Sequence, residues 1–221
     1  MTLVFAAMAY YEQVYPEVID CLIASKTQIL YSSGTRLCST NIDLARSELA
    51  GRFLESQATH MLCIDSDTWW QGDLVTQLVE EDCNIILAAY ADRKPPFQYH
   101  IRPNIDDVPS RWGKHGRILE IANAGIGCCL IKRSVVEKMW IDYSDPELTF
   151  YSRIAGKEHR RIHIFQKLIL SDFGTPRAFG EDYGFEARAR ETGFKIECLA
   201  SAEMFHAGVA CCLERDVYGQ P

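Results

Sequence analysis

Two aspartates one residue apart, Asp65 and Asp67, close an apolar run in the segment MLCIDSDTWW at 61–70. Neighbouring carboxylates repel unless something positive lies between them. A divalent cation such as Mg2+ or Mn2+ meets that need, because these hard ions are held by a few carboxylates together with substrate phosphates. Basic side chains meet it too, and so does a solvated strand end with an aspartate capping the next turn. A second acidic pair, Glu181 and Asp182, stands in FGEDYGFEARA at 179–189, where an amphipathic run begins. Carboxylates in a first helical turn face the positive end of the dipole. Beside a cleft, the same group can take a proton from a hydroxyl as a general base. His206, in MFHAG at 204–208, would complete a mixed carboxylate–imidazole site if the fold brings it to Asp65 and Asp67. Gly125 and Gly127, in NAGIGCCLIKR at 123–133, let backbone pass close to a bulky group, or make a tight turn before a strand.

These residues need a scaffold, and the hydrophobic pattern outlines one. LVFAAMA suits a buried strand, and EQVYPEVIDCLIAS has apolar residues at helical spacing, with Pro16 suited to a first turn. QILYSS reads as a second strand and NIDLARSELAGRFLES as an amphipathic helix with Asn41 at its N-cap. HMLCID is a third strand, GDLVTQLVEED a short helix and CNIILAAYA a fourth strand. Strands alternating with helices predict an α/β fold: a mostly parallel, Rossmann-like sheet flanked by helices. Asp65 and Asp67 then sit at the carboxyl end of a strand, where open α/β sheets bind ligands. Residues 92–120 and 142–176 break the rhythm and read as two long loops. Between and after them come a small-residue turn, a strand and a helix, then the GED helix and a final strand, KIECLA. A single domain over 1–221 is expected.

Composition narrows the function. The chain is 48% hydrophobic and 24% charged, and its formal net charge is −7, which argues against a non-specific coat on nucleic acid. Nine cysteines without a C-x-x-C pair suggest free, mostly buried thiols in a reducing compartment, and neither a zinc site nor a disulfide framework. No run approaches the ~18 apolar residues of a membrane span, and the first residues lack the basic start of a signal peptide. The sequence therefore reads as a soluble, cytoplasmic protein.

The order of the motifs is more specific than any one of them. A strand ending in DxD-WW precedes AGxG and an apolar strand running into IKR; a GED helix start and an HxG follow. In this order the chain resembles a metal-dependent glycosyltransferase of the GT-A fold, in a short form of the kind found among phage and viral enzymes. The stretches LARSELAGRFLES…THMLCIDSD and AGIGCCLIKRSVVEKM…GEDYGFEARARETGFKI carry most of it. The resemblance implies a nucleotide-binding half at 1–92 and an acceptor-binding, catalytic half at 121–210. It implies that Asp67, with Asp65 and His206, binds Mn2+ or Mg2+, while Asp65 also reaches the nucleotide ribose. Asp182 is implied as the base of an inverting enzyme, with Glu181 beside it. Gly125 and Gly127 would lie next to the donor sugar, Arg46 near the nucleotide and Tyr10 against its base. Trp69 and Trp70 depart from the family pattern; Trp69 would narrow the donor pocket or serve as a sugar platform.

The donor implied is a nucleotide-diphosphate sugar, a UDP-sugar first. For the acceptor, YSRIAGKEHRRIHIFQK at 151–167 is a basic island holding Arg160 and Arg161, and 93–117 adds Arg93, Lys94, Arg102, Arg111, Lys114 and Arg117 among Phe97, Tyr99 and Trp112. Basic residues mixed with aromatics suit phosphate contacts and base stacking. They point to a DNA acceptor, a hydroxymethylated pyrimidine in bacteriophage DNA modified in the host cytoplasm. A glycan or protein acceptor is the alternative, as is a non-catalytic nucleotide-sugar-binding domain. A nucleotidyltransferase fits less well, because AMAYYEQ lacks the glycine-rich, basic loop such enzymes carry after strand one.

Overall fold

The computed structural model describes all residues except 12, 92–98, 100, 103–109, 173–174, 208 and 213–221, and leaves out the side chains of 102, 170–172, 175–177 and 209–212. The chain runs β1 (Leu3–Tyr10), α1 (Pro16–Ala24), β2 (Gln28–Leu30), β3 (Arg36–Cys38), α2 (Ile42–Glu55), β4 (His60–Asp65) and β5 (Thr68–Trp70). Next come α3 (Leu74–Glu80), β6 (Ile85–Leu87), β7 (Ile101–Arg102), β8 (Ser110–Trp112), β9 (Arg117–Glu120), β10 (Asn123–Ala124), β11 (Cys128–Lys132) and α4 (Arg133–Asp142). The remainder is β12 (Thr149–Ile154), β13 (Lys157–Ile162), β14 (Leu168–Asp172), β15 (Thr175–Phe179), α5 (Glu181–Glu191), β16 (Glu197–Leu199), β17 (Glu203–His206) and β18 (Val209–Cys212).

β1 is apolar on both faces because both are covered. Phe5, Ala7 and Ala9 pack with α2, α4 and α5, while Val4, Ala6 and Met8 pack with α1 and α3. The sheet order is β2-β1-β4-β11-β6-β16-β9-β8, with β3 also paired to β1. β1 is parallel to β2, β3 and β4, and β16 is parallel to β6, but β11 is antiparallel to both β4 and β6 and β9 to both β16 and β8. The expected mostly parallel sheet is therefore a mixed one. The chain enters β11 from the Gly125–Gly127 turn, beside the carboxyl end of β4, and can only run back along it.

The second expected loop also folds further than its pattern suggests. β12 and β13 form a hairpin closed by Ala155 and Gly156, both at positive φ, the geometry of a two-residue turn that keeps the strand twist. Of the charges that mark this stretch as irregular, Arg153, Lys157, Glu158 and Arg160 are exposed, while Arg161 is buried. Pro16 does open α1. Asn41 occupies the N-cap of α2, but only its backbone carbonyl bonds the helix, to the Ala45 amide. Of the cysteines, Cys21, Cys38, Cys63, Cys83, Cys128, Cys129 and Cys198 are free, and all but Cys21 and Cys38 are buried. Among the described residues no helix is long and apolar enough to cross a membrane.

Candidate active site

The turn after β4 is pinned from several sides, so Asp65 and Asp67 have fixed places. The Asp65 amide donates to the Gly127 carbonyl at 2.8 Å, which also accepts from the Thr68 hydroxyl at 2.9 Å. The Tyr15 amide donates to Ser66 O at 2.8 Å. Asp65 meets a basic partner: Arg46 Nη2, from α2, donates to Asp65 Oδ1 at 2.8 Å. Arg46 Nη1 donates to Glu181 Oε1 at 3.2 Å and to Asp182 Oδ1, at the start of α5. The guanidinium is thus shared among three carboxylates from two elements, and Arg46 is only 4% exposed. Burial alone would weaken its charge; Asp182 and Asp65 outweigh burial and hold it well above the usual range.

Asp182 stands in the first turn of α5. Burial raises its carboxyl to about 6, with Asp65 and Glu181 pushing the same way while Arg46 and the Ile126 amide favour the anion. An acid tuned close to neutrality is suited to taking a proton. One turn further along α5, Glu186 accepts from the Ala124 amide at 2.8 and 3.1 Å, and burial raises it to about 9. Arg190 donates to Ala122 O and, at 3.1 Å, to Asn123 Oδ1. One helix therefore grips the 122–127 segment through three side chains. Gly125 is buried in that segment. At Gly127, an added Cβ would run into the Asp65 carboxylate and the Tyr90 hydroxyl.

His206 reaches this end of the sheet because β17 pairs with β5, His206 opposite Thr68. The Ala207 amide donates to Asp67 O at 2.9 Å and locks the two turns together. His206 Nδ1 lies 2.7 Å from the Ala91 carbonyl. A carbonyl only accepts, so Nδ1 carries the proton, and in the neutral ring Nε2 turns a lone pair toward Asp67 Oδ2 at 3.8 Å. Two acceptors facing each other call for a proton or a cation between them. An imidazole whose second nitrogen is fixed by a carbonyl, set beside a carboxylate, is the donor chemistry of a divalent metal site, and the pair fits Mn2+ or Mg2+ to that extent.

The expected trio is not assembled. Asp65 is engaged by Arg46 and, at 3.3 Å, by the Tyr90 hydroxyl. Among the described residues, no group of three or more His, Cys, Asp or Glu side chains is placed to hold a metal ion. Tyr90 links the two parts, with its hydroxyl on Asp65 and its ring edge-on to His206 at 4.9 Å.

The other expected residues divide. Tyr10 ends β1 at the same end of the sheet, one residue past Ala9, which is paired with Asp65. Trp69, half-buried, stacks with Tyr15 and with Phe205 at 5.7 and 5.8 Å between ring centroids. Arg161 is corrected: it is 2% exposed, and its guanidinium donates to Glu48 Oε2 at 2.8 Å and Glu55 Oε1 at 2.7 Å, a buried tie between α2 and β13. Arg160 is exposed but donates to Ser144 O at 3.1 Å, beside that same hairpin. The hairpin tip packs near the far end of α2, where Ile154 shares a surface pocket with Phe5, Arg52 and Glu55. Nine residues of helix, about 13 Å, separate Glu55 from Arg46. In the first basic stretch, Arg93, Lys94 and Phe97 and the Arg102 side chain lie outside the described residues. Trp112 is exposed and Arg111 pairs with Glu197, but both sit on β8, five ladder steps and about 24 Å from β4.

Tyr90 and Glu186 escape a reading of motifs. Tyr90 was visible as the polar end of the fourth apolar run, and Glu186 as the residue four beyond Asp182 on one helix face.

No protein-family model matches the chain, and no curated protein does. Among solved structures, the crystal structure of A197 from STIV is similar in fold, with a TM-score of 0.60 and 16% sequence identity over 98% of this chain and 92% of that one.

Proposed function

We propose that this protein is a glycosyltransferase that moves a sugar from a nucleotide-diphosphate sugar, a UDP-sugar first, to an acceptor hydroxyl. One observation carries the reading: Asp65 and Asp67, His206 and Asp182, from three separated segments, converge at the carboxyl end of the sheet. Asp67 and His206 would hold the divalent cation, which supplies neutralisation of the leaving diphosphate. The donor's anomeric carbon exchanges its bond to the diphosphate oxygen for one to the acceptor oxygen. In an inverting reaction the acceptor proton passes to Asp182, whose side chain keeps 20% of its surface accessible. Tyr10 and the Gly125–Gly127 turn lie at the same end of the sheet and would contact the nucleotide and the sugar.

The acceptor is left broader than the basic stretches suggest. Arg160 and Arg161 lie along the far part of α2 and Arg111 and Trp112 at the β8 edge, whereas Tyr99 bridges Ala91 and Arg102 pairs with Asn123 beside the candidate site, so the basic stretches do not choose between a DNA acceptor and another. Hydroxymethylcytosine DNA therefore stands beside glycans and water as one arm of the assay. Incubating the protein with Mn2+ and a panel of labelled nucleotide sugars is expected to release nucleotide and label one acceptor class. Asp182→Asn should lower kcat by about 10²–10⁴-fold. Tight nucleotide binding with neither transfer nor hydrolysis would favour a binding domain and sink the enzyme reading.

A further inference from the structure

We propose that Arg46 is a positioning residue for this reaction, holding Asp65 and Asp182 in one fixed unit, and that it does not bind the donor diphosphate. The proposal rests on the glycosyltransferase reading above. Its structural ground is the sharing of one buried guanidinium by Asp65, Glu181 and Asp182. Three of its five N–H donors go to carboxylates and the side chain is 5% exposed, so little of the guanidinium is open to a diphosphate. The three carboxylates come from β4 and α5, elements that have no direct strand pairing with each other. Arg46, on α2, is the charged bridge that brings a residue expected to face the donor to one expected to face the acceptor. A planar guanidinium can span several carboxylates at once, whereas an ammonium is a point donor.

Two kinds of measurement test this. In Arg46→Lys, kcat should fall about 10-fold or more while the donor KM stays within about threefold. In Arg46→Met the same split should deepen to about 100-fold in kcat. Independently of activity, Arg46→Met should lower Tm, because three partly buried carboxylates lose their counter-charge, and adding Asp182→Asn to it should recover part of the loss. Should Arg46→Met fail to fold, Arg46→Lys with and without Asp182→Asn serves the same cycle. A donor KM raised 10-fold or more with kcat unchanged would overturn the proposal while leaving the enzyme reading intact. So would an Arg46→Met protein with wild-type Tm. Absence of transfer by the wild type would overturn the reading, and with it Arg46's role in that reaction, whatever the melting cycle shows about the ion cluster.

Discussion

Glu186 holds its proton at neutral pH because burial outweighs the Ala124 amide and Arg190, both of which favour the anion. From 4.5 to about 9 the folded protein binds more protons at this residue than the unfolded chain does. Its contribution to stability is therefore present at low pH and is lost as pH rises through that window. Asp182 acts in the same direction, from 3.8 to about 6. His60 and His163, lowered by burial, act the other way but only below their ordinary value of 6.5. Between about pH 6.5 and 9 the wild-type Tm should thus fall, and Glu186→Gln should flatten the slope, since the amide oxygen still accepts from Ala124 without titrating. Melting curves at stepped pH check this; equal slopes would contradict a protonated Glu186. At Gly127 the issue is space. Gly127→Ala drives a methyl against Asp65 and Tyr90, and the fit of both should be lost together.

Elements are joined here by a few buried polar ties. The tie between α2 and β13 is Arg161 with Glu48 and Glu55, and the Arg161 side chain lies across Gly51, where a Cβ would clash. A mid-helix glycine is unfavourable by about 1 kcal/mol, so its presence is accounted for by this passage. Arg161→Ala leaves the buried Glu48 with Arg52 as its one arginine partner and should cost about 1–3 kcal/mol in urea unfolding. Its kcat on surviving folded protein should match wild type, the opposite of what an acceptor contact predicts. On the other flank, α5 approaches the chain closely at Gly184, where a Cβ would meet the Gln166 carbonyl. Backbone cannot yield as a side chain end does. Gly184→Ala should cost about 1–3 kcal/mol by the same measurement and should loosen the helix that carries Asp182.

For the whole molecule, the cation and the nucleotide are the natural handles. A ligand that binds only the folded state adds about 2.7 kcal/mol at 100 times its Kd, about 5–10 °C in Tm for a domain of this size. Mn2+ with UDP should raise Tm by this amount, and Asp67→Asn or His206→Ala should remove the Mn2+-dependent part. No shift with any nucleotide, with or without Mn2+, would count against the donor site. The acidic balance of −7 fits a protein that keeps its cations for defined places. The β12–β13 hairpin lays Arg160 and Arg161 along α2, the sheet carries Arg111 to its edge strand, and Arg102 pairs with Asn123 beside the candidate site.

The alternation of apolar runs determined the α/β class, and the third run ended correctly on Asp65. The acidic start of α5 was equally legible, because a 3.6-residue pattern is local and declares its own first turn. Burial and pairing are not local. Arg46 looks like any helix arginine until α5 places two carboxylates on it, and Arg161 like any surface cation until it is folded beneath α2. Likewise the division between Asp65, held by Arg46 and Tyr90, and Asp67, set beside His206, cannot be read from a D-x-D. Only the antiparallel return of β11 and the pairing of β17 with β5 decide it, because both join residues far apart in sequence.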